Sequence, residues 1–314
     1  MREAIAWIED SGSPAPSGLL PDQFRTKREV NEVNKSPIDV RVPSAHFGAM
    51  EPNKSQIRDL GPLTAQAFTF GPSAEPAVLK DVAAEWPIVE AAKQGAGHCL
   101  ALLRRHVRDL PVEILRADPS EHGRFHYRSD GQSLNFDRGR ATLTVFLDAL
   151  REQSASKRPY ALAVQGLPAK RFVPGFADAH PMPLVPTGVE PRLWIGNASK
   201  VATHNDPVDN VAIVAAGMRR FTLFPPDAAE NLYMRISEPT PAGTPVSMVH
   251  VTAPDVERYP RFADAMRVAR VLELSPGDGL FIPRDWFHHV EALEPFNVLV
   301  NYWWDGSAEG NQPR

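Results

Sequence analysis

A chain of 314 residues with 43% hydrophobic and 23% charged residues can bury a large core, which excludes an intrinsically disordered protein. Its net charge of −4 gives no overall attraction to nucleic acid or an anionic membrane, and the single cysteine, Cys99, excludes an internal disulfide and a cysteine-based zinc cluster. No run reaches the roughly 18 apolar residues of a membrane span and Met1 to Asp10 has no apolar signal core, so a cytoplasmic protein is expected.

In chain order, residues 2 to 9 have the pattern of a short helix, and Ser11 to Pro21, rich in Ser, Gly and Pro, reads as a linker. Phe24 to Pro62 mixes charges with scattered apolar residues and prolines, as an arm lying over a core does. Its His46 stands alone, without a partner at ligand spacing. Residues 1–70 are therefore expected to be an N-terminal extension with a flexible linker, and 71–314 one barrel domain.

From Pro76 the pattern tightens. Pro-Ala-Val-Leu-Lys-Asp-Val reads as a buried strand, and Trp86-Pro87 begins a new segment. In His98 to Leu110, Leu100, Leu103 and Val107 recur at spacings of three and four. Arg104, Arg105 and Arg108 occupy the other face, which predicts an amphipathic helix with a solvated basic side. Cys99 is expected in the core. Pro111 to Arg116 predicts a strand, and Gly123 to Phe136 a strand, turn and strand around Asp130-Gly131. Thr144 to Arg151 predicts a helix capped by Thr142 or Thr144, and Tyr160 to Gln165 a strand. The proline-rich Pro168 to Pro191 predicts a loop around the core.

The second half is predominantly β. Arg192 to Gly196, Thr203 to Asp206, Asn210 to Ala215, Arg219 to Phe224, Ala269 to Leu274, Gly279 to Pro283, His288 to Ala292 and Val298 to Trp304 predict eight short strands, enough for a double-sheet jelly roll. The 31 prolines agree, since proline suits turns and edges better than long helices. Asp227 to Leu232 predicts a short helix capped by Asp227. Pro239 to Arg267 is a long insertion with a helical piece near Phe262.

Chemistry concentrates in Thr203-His204-Asn205-Asp206-Pro207 and Trp286-Phe287-His288-His289, which supply imidazoles and a carboxylate. Two imidazoles and one carboxylate are the facial triad that leaves half of an octahedral Fe(II) open. On a strand, His204 and Asp206 project from one face and can grip one ion. Only one of His288 and His289 can join them, because neighbours on a strand point to opposite faces.

Four motifs stand in order: His204-Asn-Asp206; Gly217-Met-Arg-Arg-Phe-Thr-Leu-Phe-Pro-Pro226; Pro276-Gly-Asp-Gly-Leu-Phe-Ile-Pro-Arg-Asp-Trp-Phe-His288; and Asn301-Tyr-Trp303. From Gly71 to Asp305 the chain resembles the JmjC-type, cupin-like group of Fe(II)- and 2-oxoglutarate-dependent oxygenases. The likeness is greatest to the branch of the hypoxia-pathway asparaginyl hydroxylase and the tRNA wybutosine hydroxylase. The resemblance implies a mainly β double-stranded β-helix, a jelly-roll cupin barrel with flanking helices and an N-terminal extension. It implies Fe(II) held by His204, Asp206 and His288, with 2-oxoglutarate as co-substrate. The aromatic-aromatic-His order selects His288, which leaves His289 a supporting role.

Arg219 falls where relatives carry the lysine that binds the far carboxylate of the co-substrate. Asn210, Asn301 and Trp303 coincide with residues that line the family's site, and Asn301 and Trp303 share strand parity. Val201 stands where relatives often place a threonine, and Ala163 near an expected co-substrate tyrosine. With these departures, either Arg219 compensates, or another 2-oxo acid is used, or oxygenase activity is lost; the expected function is a hydroxylase. The alternative is a non-catalytic cupin, or one that does not use 2-oxoglutarate, binding a ligand or protein. The substrate expectation is a protein side chain or small molecule, since the acidic balance disfavours RNA. A homodimer would use the N-terminal arm or a barrel face.

Overall fold

The computed structural model describes residues 5–8, 58–59, 74–235 and 240–305. The expected linker, most of the arm and His46 lie outside these residues. The first strands are β1 (Ala6–Ile8), β2 (Arg58–Asp59), β3 (Ala77–Leu79), β4 (Pro111–Ala117), β5 (Arg124–Phe125), β6 (Phe136–Thr142) and β7 (Ala161–Pro168). Then come β8 (Arg192–Gly196), β9 (Ser199–Asn205), β10 (Asp209–Ala216), β11 (Arg219–Phe224), β12 (Met234–Arg235), β13 (Val246–Ser247), β14 (Arg270–Leu274), β15 (Gly279–Ile282), β16 (Phe287–Ala292) and β17 (Asn297–Trp304). The helices are α1 (Pro87–Lys93), α2 (Ala96–His106), α3 (Leu143–Ser154), α4 (Ala169–Phe172), α5 (Phe176–Ala179) and α6 (Phe262–Val268).

The eight expected strands form the barrel. One wall is β8-β17-β10-β15 within a ten-stranded sheet, and the other is β14-β11-β16-β9 within a five-stranded sheet. Successive strands change sheets at most steps, which is how a jelly roll closes over its core. β10 and β17 are buried at every residue. Central strands covered on both faces lose the polar alternation of a half-exposed strand, and their near-continuous apolar runs follow. Val211, Ile213 and Ala215 face α1, α2 and α3 in the larger core. Ala212 and Val214 pack inward with Phe221, Leu223, Leu280 and Leu299. Gly217, at φ +74°, turns β10 into β11 where a Cβ would lie 2.3 Å from Asn297 Oδ1.

The outer elements follow the expected pattern with local differences. Cys99, Leu100 and Leu103 form the buried face of α2, and Arg104 pairs with Asp148 of α3. Thr142 caps α3, accepting from Val145 N at 3.5 Å. Residues 6–8 are a strand, not a helix: β1 adds to the open edge of β6, and Gly139 leaves space for the Trp7 ring. Long-range pairing overrides a weak local helical preference. Pro168 to Pro191 is not all loop, since α4 and α5 lie within it. The helix at Pro226–Leu232 is 3₁₀, with Pro225 and not Asp227 at the N-cap, because Pro226 takes the first-turn position that needs no N–H donor. Between Gly123 and Phe136 only Tyr127 and Leu134 pair across the turn, while β5 runs parallel to β9.

Candidate metal and co-substrate site

The rims of β9 and β16 bring His204 and His288 directly opposite each other, with ring centroids 4.4 Å apart. Asp206 follows β9 by one residue, and its carboxylate Oδ2 stands 3.8 Å from His288 Nε2. Donor atoms of the three lie within 4.8 Å of one another, and all three residues are buried. The turn between β15 and β16 holds this rim: Asp285 N donates to the Asp206 carbonyl at 2.9 Å, and Arg284 N to Asp209 Oδ1 at 2.9 Å.

The ring orientations suit a metal. His204 Nδ1 faces the Ala202 carbonyl at 2.8 Å and His288 Nδ1 the Trp286 carbonyl at 3.1 Å. A carbonyl can only accept, so each Nδ1 carries the proton and each Nε2 keeps its lone pair free. Burial, helped by the neighbouring His204, pushes the His288 imidazole down to about 3, which keeps it neutral and ready to ligate. Burial raises the carboxyl of Asp206 above the usual range, opposed by His204 and by the indole N–H of Trp303. That N–H faces the carboxylate at a geometry too loose to be a full hydrogen bond. A cation would relieve the buried carboxylate, and this donor set of two nitrogens and one oxygen could hold it.

Strand register arranges the inner face of the five-stranded wall in rows. The first row is Arg270, Leu223, His288 and His204. The second is Phe221, Val290, Val201 and Phe125. The third is Leu274, Arg219, Ala292 and Ser199. At a rise of about 3.3 Å per residue, the third row lies roughly 13 Å along the strands from the first. Arg219 is 6% exposed and makes no hydrogen bond or ion pair among the described residues, with its Nε wholly enclosed. Burial pushes its guanidinium down to about 10, so it remains charged at neutral pH.

On the facing wall, Asn301 Nδ2 donates to Asn210 Oδ1 at 2.9 Å, and Asn301 Oδ1 has no partner among the described residues. Trp303 pairs in register with Asn210 and packs edge-on against Trp194, centroids 6.1 Å apart. His204, Asp206, His288, Arg219, Asn210, Asn301 and Trp303 therefore all lie on the barrel's inner surface. Val201 and Ala163 do too, Ala163 standing opposite Gly196. His289 points outward beneath Val249, His250 and Thr252, near His126 and Lys200. Sequence reasoning missed Trp194, Phe221, Val290, Phe125 and the carbonyls of Ala202 and Trp286. The carbonyls stand two residues before each histidine, but any residue supplies a carbonyl. Only strand pairing exposes the second row.

Residues 65–310 match the model of a family described as a cupin-like domain. HSPB1-associated protein 1 of Homo sapiens is 39% identical over 119 residues, 37% of this chain and 24% of that protein. Lysine-specific demethylase JMJ31 of Arabidopsis thaliana is 31% identical over 144 residues, 45% of this chain and 24% of that protein. The tRNA wybutosine-synthesizing protein 5 of Danio rerio is 31% identical over 206 residues, 63% of this chain and 53% of that protein. The matched part of the chain thus spans 24% of the first two relatives and 53% of the third.

Proposed function

Because the chain belongs to the cupin-like domain family, we propose that it is an Fe(II)- and 2-oxoglutarate-dependent oxygenase of the hydroxylase class. The carrying observation is a buried His204-Asp206-His288 cluster above a buried guanidinium that has no partner among the described residues, inside one barrel. Relatives named as a demethylase and a wybutosine-synthesizing protein belong to oxygenase branches of this kind and support the reading. We further propose a protein side chain or small molecule as substrate, and a cytoplasmic location. Among the described residues no helix is long and apolar enough to cross a membrane.

His204, Asp206 and His288 would hold Fe(II), which when bound supplies dioxygen activation coupled to oxidative decarboxylation of a 2-oxo acid. The Ala202 and Trp286 carbonyls fix the two rings so that only Nε2 faces inward. Arg219 receives the far carboxylate of the co-substrate, and the apolar second row keeps water from that ion pair, which strengthens it. The Asn210–Asn301 pair and the Trp303 indole border the ligands on the facing wall and limit the poses a bound acid can take.

Anaerobic calorimetry of the full chain tests this reading. One equivalent of Fe(II) or Mn(II) should bind, followed by one equivalent of 2-oxoglutarate. Stoichiometric metal without affinity for any 2-oxo acid would instead favour a ligand- or protein-binding cupin, a reading motivated by the hydroxyl-free residues Val201 and Ala163.

A further inference from the structure

Outside the barrel, a cavity of about 310 Å³ is enclosed by the start of α1, the second half of α2 and the segment from Val173 through α5. Ile88, Leu102, Leu103, Val173 and Phe176 give it hydrocarbon walls, and among the described residues His106 and His180 are the polar side chains that line it. His180 is already engaged, its Nδ1 with the Phe176 carbonyl at 2.8 Å and its Nε2 with Ile88 N at 3.3 Å. His106 is exposed, so it stands where the cavity meets solvent. Helical spacing puts Leu102, Arg105 and His106 on one face of α2. Arg108 N donates to the Phe172 carbonyl at 2.8 Å, which ties the end of α2 to α4, the helix of Lys170 and Arg171. Arg105, Arg108, Lys170 and Arg171 are all exposed, and none makes an ion pair among the described residues.

We propose that this cavity binds a medium-chain carboxylate, with its hydrocarbon tail inside and its charged end at the basic rim. Ligand cavities begin at roughly 300 Å³ and are mostly apolar with a few polar groups at one end, which is the arrangement here. The sign of the head group follows from the rim. Its segments carry three carboxylates: Glu90 pairs with Lys93 at 2.7 Å, Asp109 accepts from Thr144 N at 3.4 Å, and Asp178 lies on α5. The end of α2 adds about half a negative charge. Four full positive charges outweigh these, so an anion is favoured and a cation repelled. The occupant is small because a protein partner needs an apolar patch of roughly 800 Å² on each side. Among the described residues the exposed large hydrophobics are Val256 and Val268, and neither belongs to the segments around the cavity.

The test is calorimetric titration of the full chain with decanoate, 1-decanol and decyltrimethylammonium. Decanoate should bind one to one, at least about tenfold more tightly than the ammonium compound at low salt, with the gap narrowing to within about threefold near 0.5 M salt. Arg105→Gln combined with Arg108→Gln should cost decanoate about tenfold and leave decanol within about twofold. Leu102→Glu, which places a charge in the apolar wall, should cost both at least about tenfold, while Asp206→Ala changes neither. Unchanged thermal melting of each variant establishes folding. If Asp206→Ala removes decanoate binding and Leu102→Glu does not, the acid sits at the candidate metal ligands and the proposal is wrong. It is equally wrong if the three probes bind alike, or if decanoate does not bind. Self-association abolished by Leu102→Glu in sedimentation, without decanoate binding, would assign the cavity to a second copy of the chain and overturn the proposal.

Discussion

Arg219 and Arg220 are neighbours on β11 with opposite surroundings. Arg220 faces outward, paired with Glu273 at 2.6 Å and Glu291 at 3.4 Å, with 39% of its side chain exposed. Arg219 faces inward, buried and without a partner among the described residues. The outer arginine is complete as it stands. The inner one carries a desolvated charge that a bound anion would satisfy. On β16 the split is less simple. His288 and His289 are both buried and both pushed down to about 3 by burial, and among the described residues neither ring nitrogen of His289 makes a well-formed hydrogen bond. What separates them is convergence: His288 meets His204 and Asp206, whereas His289 joins no such cluster among the described residues. Burial of a polar group marks a candidate, and geometry decides which candidate has a task.

The largest expected effect tests that distinction. His288→Ala should lower metal affinity by more than roughly a hundredfold, while His289→Ala should cost about tenfold at most, the low end of the roughly 10- to 100-fold range for residues that support ligands without touching the ion. Equilibrium dialysis measures both, and the reverse order would break the assignment. Metal itself should stabilise the fold. At a free concentration about a hundred times its dissociation constant the gain is about 2.7 kcal/mol, visible as a rise in Tm that His288→Ala removes.

Acid should act through the buried imidazoles. His288 and His289 are held near 3 and His250 near 4, each chiefly by burial, against an ordinary 6.5. The folded state therefore binds fewer protons than the unfolded chain below pH 6.5. Their contribution is fully present above that pH and is lost as pH falls toward 3. Urea denaturation of the metal-free protein should show stability declining through this window, with a shallower slope for His289→Phe. The smallest effect belongs to the outer arginine. Arg220→Met should change stability by no more than about 1 kcal/mol and leave 2-oxoglutarate affinity untouched. A loss comparable to that of Arg219→Met would erase the contrast between the two.

Much of the barrel is legible in the chain because turn residues punctuate short apolar runs. β8 and β11 begin and end where expected, and the other barrel strands differ by a few residues at most. His204 and Asp206 stand out by their spacing, and the family resemblance of the flanking motifs adds His288 and Arg219; the structure brings His204, Asp206 and His288 together. Three things are not legible. The edge pairing of β1 with β6 depends on space left by Gly139, far away in the chain. The histidine orientations depend on backbone carbonyls, which no residue type announces. The apolar row of Phe221, Val290, Val201 and Phe125 comes from four strands and exists only once their register is set, including a bulge between His288 and Val290.

The central claim is most directly tested by incubating the full chain with Fe(II), ascorbate and 2-oxoglutarate labelled at C1, and counting released carbon dioxide. Slow release without added substrate, abolished by Asp206→Ala and by Arg219→Met, is the predicted result. No release above the Asp206→Ala background, from a protein that binds both iron and 2-oxoglutarate, would contradict it.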